Sequence, residues 1–289
     1  MNKLKPLPEE WSGLLNNEQK EAIENINGPL LIIAGAGSGK TRVLTYRYAH
    51  LIKTYGINFE NVLAITFTNK AANEMKDRIS DLLNLELSPK WISTFHSLCV
   101  KMLRIHGHLI GFNNNFTIYD QSDSTKLVRN CMRDSDIDTK QYSPKRIQAH
   151  ISSLKNQRIL PGEAVEFAQS FFDVKVAEIY SSYQKKLMLA NSMDFDDLLI
   201  KAVELLETSD KSLNYWSSKF QYIMIDEYQD TNMVQYRLVE LLASKHKNIC
   251  VVGDSDQSIY AFRGADIRNI EEFESDFKNA KVILSLIHI

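Results

Sequence analysis

Two stretches hold residue types that could do chemistry on a phosphate. The first, "LLIIAGAGSGKTRVL" (residues 30–44), is an apolar run, a glycine-rich turn and the start of a helical pattern. Glycines at 35, 37 and 39 allow positive φ and close approach of the backbone to phosphate oxygens, while N–H groups at a helix N-terminus point at an anion. Lys40 would then reach the β and γ phosphates of a nucleotide, and Thr41 would offer its hydroxyl to magnesium. The pattern G-x-x-x-x-G-K-[ST] asks for glycine where Ala34 stands, but the later glycines carry the turn. Residues Ala34, Gly35, Ala36, Gly37, Ser38 and Gly39 are therefore the expected phosphate cradle.

The second stretch, "YIMIDEYQD" (residues 222–230), places Asp226 and Glu227 at the C-terminal end of an apolar strand, the edge of a parallel sheet where ligands collect. Asp226 is the expected magnesium residue, acting through water. Glu227 is the expected general base, able to orient or deprotonate an attacking water. A small-molecule kinase must keep water out, whereas a hydrolase recruits it with a carboxylate, so Glu227 favours hydrolysis.

Elements must hold these groups in place, and the chain is long enough to supply them. It has 289 residues, 44% of them apolar, and a formal net charge of −2. That composition suits a globular protein with a substantial core, and it restricts any surface for a polyanion to a local patch. The three cysteines, Cys99, Cys131 and Cys250, are widely spaced and suggest neither a disulfide framework nor a metal cluster. Without an apolar signal core or a membrane-length run, the chain reads as cytoplasmic. Apolar runs at Pro29–Ala34, Val62–Phe67, Tyr222–Ile225 and Asn248–Val252 predict buried parallel strands. Helical patterns at Lys40–Ile52 and Lys70–Leu83 alternate with them, which gives an α/β fold with a P-loop parallel sheet.

From about Gly111 to Asn191 helical patterns such as Ala164–Tyr183 replace the strands, so an all-helical domain (111–191) is expected inside an α/β domain made of residues 1–110 and 192–289. Between Thr139 and Gly162, Lys140, Lys145, Arg146, Lys155 and Arg158 occur with no acidic residue, and Ile147, Ile151 and Leu154 form an inward stripe. That helix is expected to present a basic face, either to duplex phosphates or simply to solvent.

Taken together, the chain resembles superfamily 1 DNA helicases of the UvrD/Rep/PcrA type. The motifs that carry the resemblance are "LNNEQKEAI", "AGAGSGKT", "ITFTNKAANEM", "TFHSL", "DFDDLL", "IDEYQDTN" and "VVGDSDQSIYAFRGAD", in family order. The resemblance implies a RecA-like motor domain that uses ATP and Mg2+ to move 3′ to 5′ on single-stranded DNA, with partners that include single-strand/duplex junctions. It implies that Gln19 binds the adenine edge, that Arg42 stacks on the adenine face, and that Gln257 senses the γ phosphate. Gln229 and Asp230 would link that site to the DNA side. DNA contacts would come from Phe67, Thr94, His96, Tyr260, Phe262 and Arg263, with Phe262 standing where the family usually has tryptophan. Two other classes, a small-molecule P-loop kinase and a non-catalytic nucleotide- and DNA-binding module, lack a use for the Glu227 and Gln257 pair.

In this family a strand like Val282–Leu284 leads to an arginine that completes the ATP site and then to a second motor domain. From Ser285 onward the family pattern fails, and Leu284 to Ile289 match the translation of a transposon end used in sequencing-library adapters. The expectation is an N-terminal fragment with weakened turnover, whose missing second motor domain belongs to the full-length protein.

Overall fold

A computed structural model describes residues 3–35, 37–85, 89–254, 273 and 275–285. In chain order the elements are α1 (Glu9–Ser12), α2 (Asn17–Glu24), β1 (Leu30–Ala34), α3 (Lys40–Lys53), β2 (Val62–Thr66), α4 (Asn69–Leu83), β3 (Ile92–Thr94) and α5 (Phe95–His106). There follow β4 (Thr117–Tyr119), α6 (Gln121–Asp134), α7 (Pro144–Asn156), α8 (Phe171–Leu189), β5 (Ser192–Asp194), α9 (Phe195–Thr208), α10 (Asp210–Lys219), β6 (Tyr222–Ile225), α11 (Met233–Ala243), β7 (Ile249–Gly253) and β8 (Lys281–Ser285). Contacts divide the chain into two compact units: one of Met1–Leu98, Leu213–Thr231 and Val239–Ile289, the other of Cys99–Ser212 and Asn232–Leu238.

The first unit is built on a six-stranded sheet in the order β3-β2-β6-β7-β1-β8, with parallel pairing throughout. All four strands expected from apolar runs form. Their residues are buried on both faces, which is why they read as near-continuous hydrophobic sequence rather than as alternation. Registers such as Ile32↔Val252, Ile65↔Ile225 and Thr66↔Thr94 align the strands so that their C-terminal ends meet at one edge. Gly35, Phe67, Asp226 and Asp254 follow the strands at that edge.

Helices α2 and α3 position the phosphate loop. Asn16 caps α2 by accepting the Gln19 N–H, and the Gln19 side chain accepts the Asn16 N–H in return, a reciprocal capping box. In α3 the apolar residues Val43, Leu44, Tyr48, Ala49 and Leu51 are buried, and so is Arg47. Its Nη1 donates to the Ala22 carbonyl near the end of α2, at 2.5 Å, supplying a partner to a carbonyl that the helix end leaves open. Burial lowers the Arg47 pKa from its ordinary value.

The second unit has its own core, including Val128, Met132, Ile147, Ile151, Tyr180 and Leu187. Besides helices it holds a parallel ladder of β4 and β5, which the all-helical expectation did not include; strands of three residues are too short to show a period. The helix expected from Ala164 begins instead at Phe171. Ser170 caps it by accepting the Asp173 N–H at 3.2 Å, and residues 161–167 form turns after Pro161 and Gly162.

The basic face of α7 needs correction. Ile147, Ile151 and Leu154 do point inward, but Lys155 goes with them and is fully buried. Its ammonium sits 2.7 Å from both Asp194 Oδ2 and Asp197 Oδ1, and the Tyr183 hydroxyl donates to the same Asp194 oxygen at 2.8 Å. Arg158 is drawn to Glu207 at 2.9 Å. Lys140, Lys145 and Arg146 remain exposed, with the Arg146 guanidinium 4.6 Å from the Phe172 ring centroid. Among the described residues no helix is long and apolar enough to cross a membrane.

Candidate functional site

The site is assembled from residues that follow β1, β6 and β7 at the common sheet edge. In the phosphate loop Gly37 and Gly39 take left-handed conformations, with φ of 75° and 84°. Gly39 is the N-cap of α3, so its conformation sets the direction in which the helix N-terminus points. A Cβ there would meet Gln19 Nε2 at 3.1 Å. Gln19 Nε2 donates to the Ser38 carbonyl at 3.0 Å, tying α2 to the loop. The Ser38 hydroxyl is buried without a hydrogen-bond partner.

Lys40 and Thr41 open α3 and face the ends of the other strands. The Lys40 ammonium lies 3.4 Å from Asp254 Oδ2 and 3.7 Å from Glu227 Oε2. The Thr41 hydroxyl donates to Asp226 Oδ2 at 2.8 Å. Lys40, expected at the phosphates, Thr41 and Asp226, expected at magnesium, and Glu227, the expected base, lie together in the structure. Asp254, to which the sequence alone gave no role, is the carboxylate nearest Lys40. Its signal in the sequence was its place directly after an apolar strand.

Burial shapes the charges here. It pushes the Asp226 carboxyl up to about 6, with the Thr41 hydrogen bond acting against it and the Glu227 charge adding to it. Asp230 is likewise pushed up to about 6 by burial and then by Glu227, and its Oδ1 has no hydrogen-bond partner. Glu227 itself adopts φ of 52°, a left-handed conformation uncommon for a residue with a side chain, and it starts the turn Tyr228–Asp230.

Magnesium was expected at Thr41 and Asp226, and their chemistry fits it. A buried carboxylate whose pKa is raised by burial is under-compensated, and a divalent cation beside it would favour its ionised form. Among the described residues no three His, Cys, Asp or Glu side chains form a metal cage. A hard cation held by one hydroxyl and one carboxylate would draw its other ligands from phosphate oxygens and water, as magnesium does.

The residues expected to hold a base divide. Gln19 lines a cleft with Ala22, Ile32, Val43 and Ile283, but its amide is already bonded to Ser38 and Asn16. Arg42 is exposed, its guanidinium 5.6 Å from the Tyr46 ring centroid.

Of the expected DNA contacts, Phe67, Thr94 and His96 gather at the ends of β2 and β3 and the first turn of α5. Thr94 is buried, and its hydroxyl accepts the Ser97 N–H at 3.3 Å. Phe67 and His96 are half-buried, and burial lowers the imidazole pKa, leaving His96 neutral at pH 7. Ala36, Gln257, Tyr260, Phe262 and Arg263 lie outside the described residues.

A parallel sheet whose edge presents a glycine-rich loop opposite two adjacent carboxylates has the architecture of a P-loop, RecA-like α/β domain. The model of the UvrD/REP helicase N-terminal domain matches residues 15–278, and the chain belongs to that family. It is 50% identical over 269 residues to the ATP-dependent DNA helicase PcrA of Staphylococcus epidermidis (strain RP62A). The PcrA of Staphylococcus aureus (strain Mu50) is similar to the same degree over the same length. In both comparisons 93% of this chain is covered but 37% of the relative, so the chain spans little more than a third of the curated relatives it matches.

Proposed function

We propose that this chain carries the first motor domain (1–110 and 192–289) and inserted domain (111–191) of a cytoplasmic ATP-dependent DNA helicase that moves 3′ to 5′ on single strands. The observation that carries the reading is the convergence of Lys40 on Asp254 and Glu227 beside the Thr41–Asp226 hydrogen bond. Lys40 would leave its carboxylate partners to bind the β and γ phosphates of ATP, and the amides of the glycine loop would hold the same anion. Thr41 and Asp226 would hold Mg2+, which neutralises charge on those phosphates when bound. Glu227 takes a proton from water as the water oxygen bonds to the γ phosphorus. The bond from that phosphorus to the β,γ-bridging oxygen breaks, and ADP and inorganic phosphate leave.

Phe67 and His96 would contact single-stranded DNA. An aromatic ring just after β2 and a neutral imidazole in the first turn of α5 can stack on bases of any sequence, which suits a motor on arbitrary DNA. Fluorescence anisotropy with a labelled oligothymidylate tests this. Phe67→Ala combined with His96→Ala should weaken binding at least 10-fold, since each stacked base is worth roughly 1–3 kcal/mol. Equal affinity for the altered and unaltered chains would remove the DNA part of the reading.

A further inference from the structure

Gln229 is almost completely buried, and both ends of its amide are engaged inside the carboxylate site. Nε2 donates to Glu227 Oε2 at 2.8 Å, and Oε1 accepts the Asp254 backbone N–H at 3.0 Å. The two partners fix the orientation of the amide, because a carboxylate needs a donor and a backbone N–H needs an acceptor. A side chain carrying only donors or only acceptors could not serve both.

The same Glu227 oxygen lies 3.7 Å from the Lys40 ammonium, and Asp254 Oδ2 lies 3.4 Å from it. In the mechanism above Lys40 turns to a phosphate, and Glu227 then loses its cation. Gln229 stays, because it reaches Glu227 through the turn that the left-handed backbone of Glu227 begins. We infer that Gln229 is a positioning residue for hydrolysis. It holds Glu227 Oε2 so that Oε1 is left to accept the proton of the attacking water, and it ties that placement to the backbone at the end of β7. A displacement of residue 254 would pull on the amide and move the base.

This inference rests on Glu227 being the general base, and the test separates the two. Single-turnover hydrolysis of labelled ATP with the chain in excess would be measured for the unaltered chain, Glu227→Gln, Gln229→Leu and the double variant. Gln229→Leu should lower the rate about 10- to 100-fold, the range seen when a group supporting a reactive residue is removed, while half-saturating ATP changes less than twofold. In the Glu227→Gln background the same change should cost less than twofold, because a residue that acts through Glu227 has nothing left to position. Gln229→Glu, equal in size but setting two carboxylates against each other, should be at least as slow as Gln229→Leu and guards against a leucine variant that misfolds. Equal losses in both backgrounds, or Gln229 variants as fast as the unaltered chain beside a slow Glu227→Gln, would overturn the inference alone. A Glu227→Gln chain as fast as the unaltered one would overturn the general-base reading and the inference with it.

Discussion

Replacing Lys155 with methionine would leave Asp194 and Asp197 buried with their cation gone. Burial disfavours ionisation of both. At Asp194 the Lys155 charge and hydrogen bond outweigh burial and hold the carboxyl below its usual range, whereas at Asp197 burial prevails and pushes it up to about 6. Burial also opposes the Lys155 charge, but Asp197 and then Asp194 overcome it and raise the ammonium above its ordinary value. Breaking such a pair by removing one partner costs about 3–5 kcal/mol, because the remaining charge is uncompensated. In a unit of this size 1 kcal/mol corresponds to roughly 4 °C, so Lys155→Met should lower the melting temperature by about 10–20 °C. The two aspartates also form the capping box of α9, and asparagine retains a side-chain acceptor for that role. Lys155→Met with Asp194→Asn and Asp197→Asn should therefore recover most of the loss. The deficit of the single variant should also shrink as pH falls from 7 toward 5, because protonation removes the unpaired charge. Thermal and urea unfolding followed by circular dichroism measure all three effects. A cost below about 1 kcal/mol, or a triple variant no more stable than the single one, would refute the reasoning.

Three further outcomes concern the nucleotide site. The folded pKa of Asp226 is raised to about 6, so the stability associated with this group is greatest below its unfolded value and is lost as pH rises from about 4 through 6. Asp226→Asn should thus stabilise the fold at pH 7 by about 1–3 kcal/mol while abolishing Mg2+-dependent nucleotide binding. In the unaltered chain Mg2+-dependent affinity should fall about 10-fold between pH 8 and pH 5, where roughly one carboxyl in ten is ionised; a flat profile by calorimetry would contradict this. Gly39→Ala should cost about 1–2 kcal/mol and weaken ATP binding, because alanine disfavours a left-handed φ and its Cβ would press on Gln19. A chain with alanine at 39 that binds ATP unchanged would show the loop tolerates the altered N-cap.

The sequence was most legible where one local rule decided the outcome. The loop at 34–41 combines glycine freedom, a strand before it and a helix after it, and buried parallel strands announce themselves as unbroken apolar runs. The carboxylates at 226 and 227 were readable because a strand end in a parallel sheet faces the ligand edge. Lys155 was misread because charge was weighed ahead of period. It stands four residues after Ile151 and eight after Ile147, on the apolar face, and its aspartate partners lie about forty residues away where only the fold brings them. Asp254 and Gln229 were partly hidden for the same reason, since the hydrogen bond joining them spans 25 residues and two strand ends. The start of α8 was placed early because Val165 and Phe167, which are exposed, continue its hydrophobic pattern into the turns before Ser170.

Isothermal titration of ATP with and without Mg2+ asks whether the loop at residues 34–41 and the facing carboxylates form a Mg2+-dependent ATP site. Binding that requires Mg2+ and weakens at least 10-fold in Lys40→Ala, a loss of about 1.4 kcal/mol or more, is the predicted result. No binding by the unaltered chain, or equal binding by Lys40→Ala, would contradict the account.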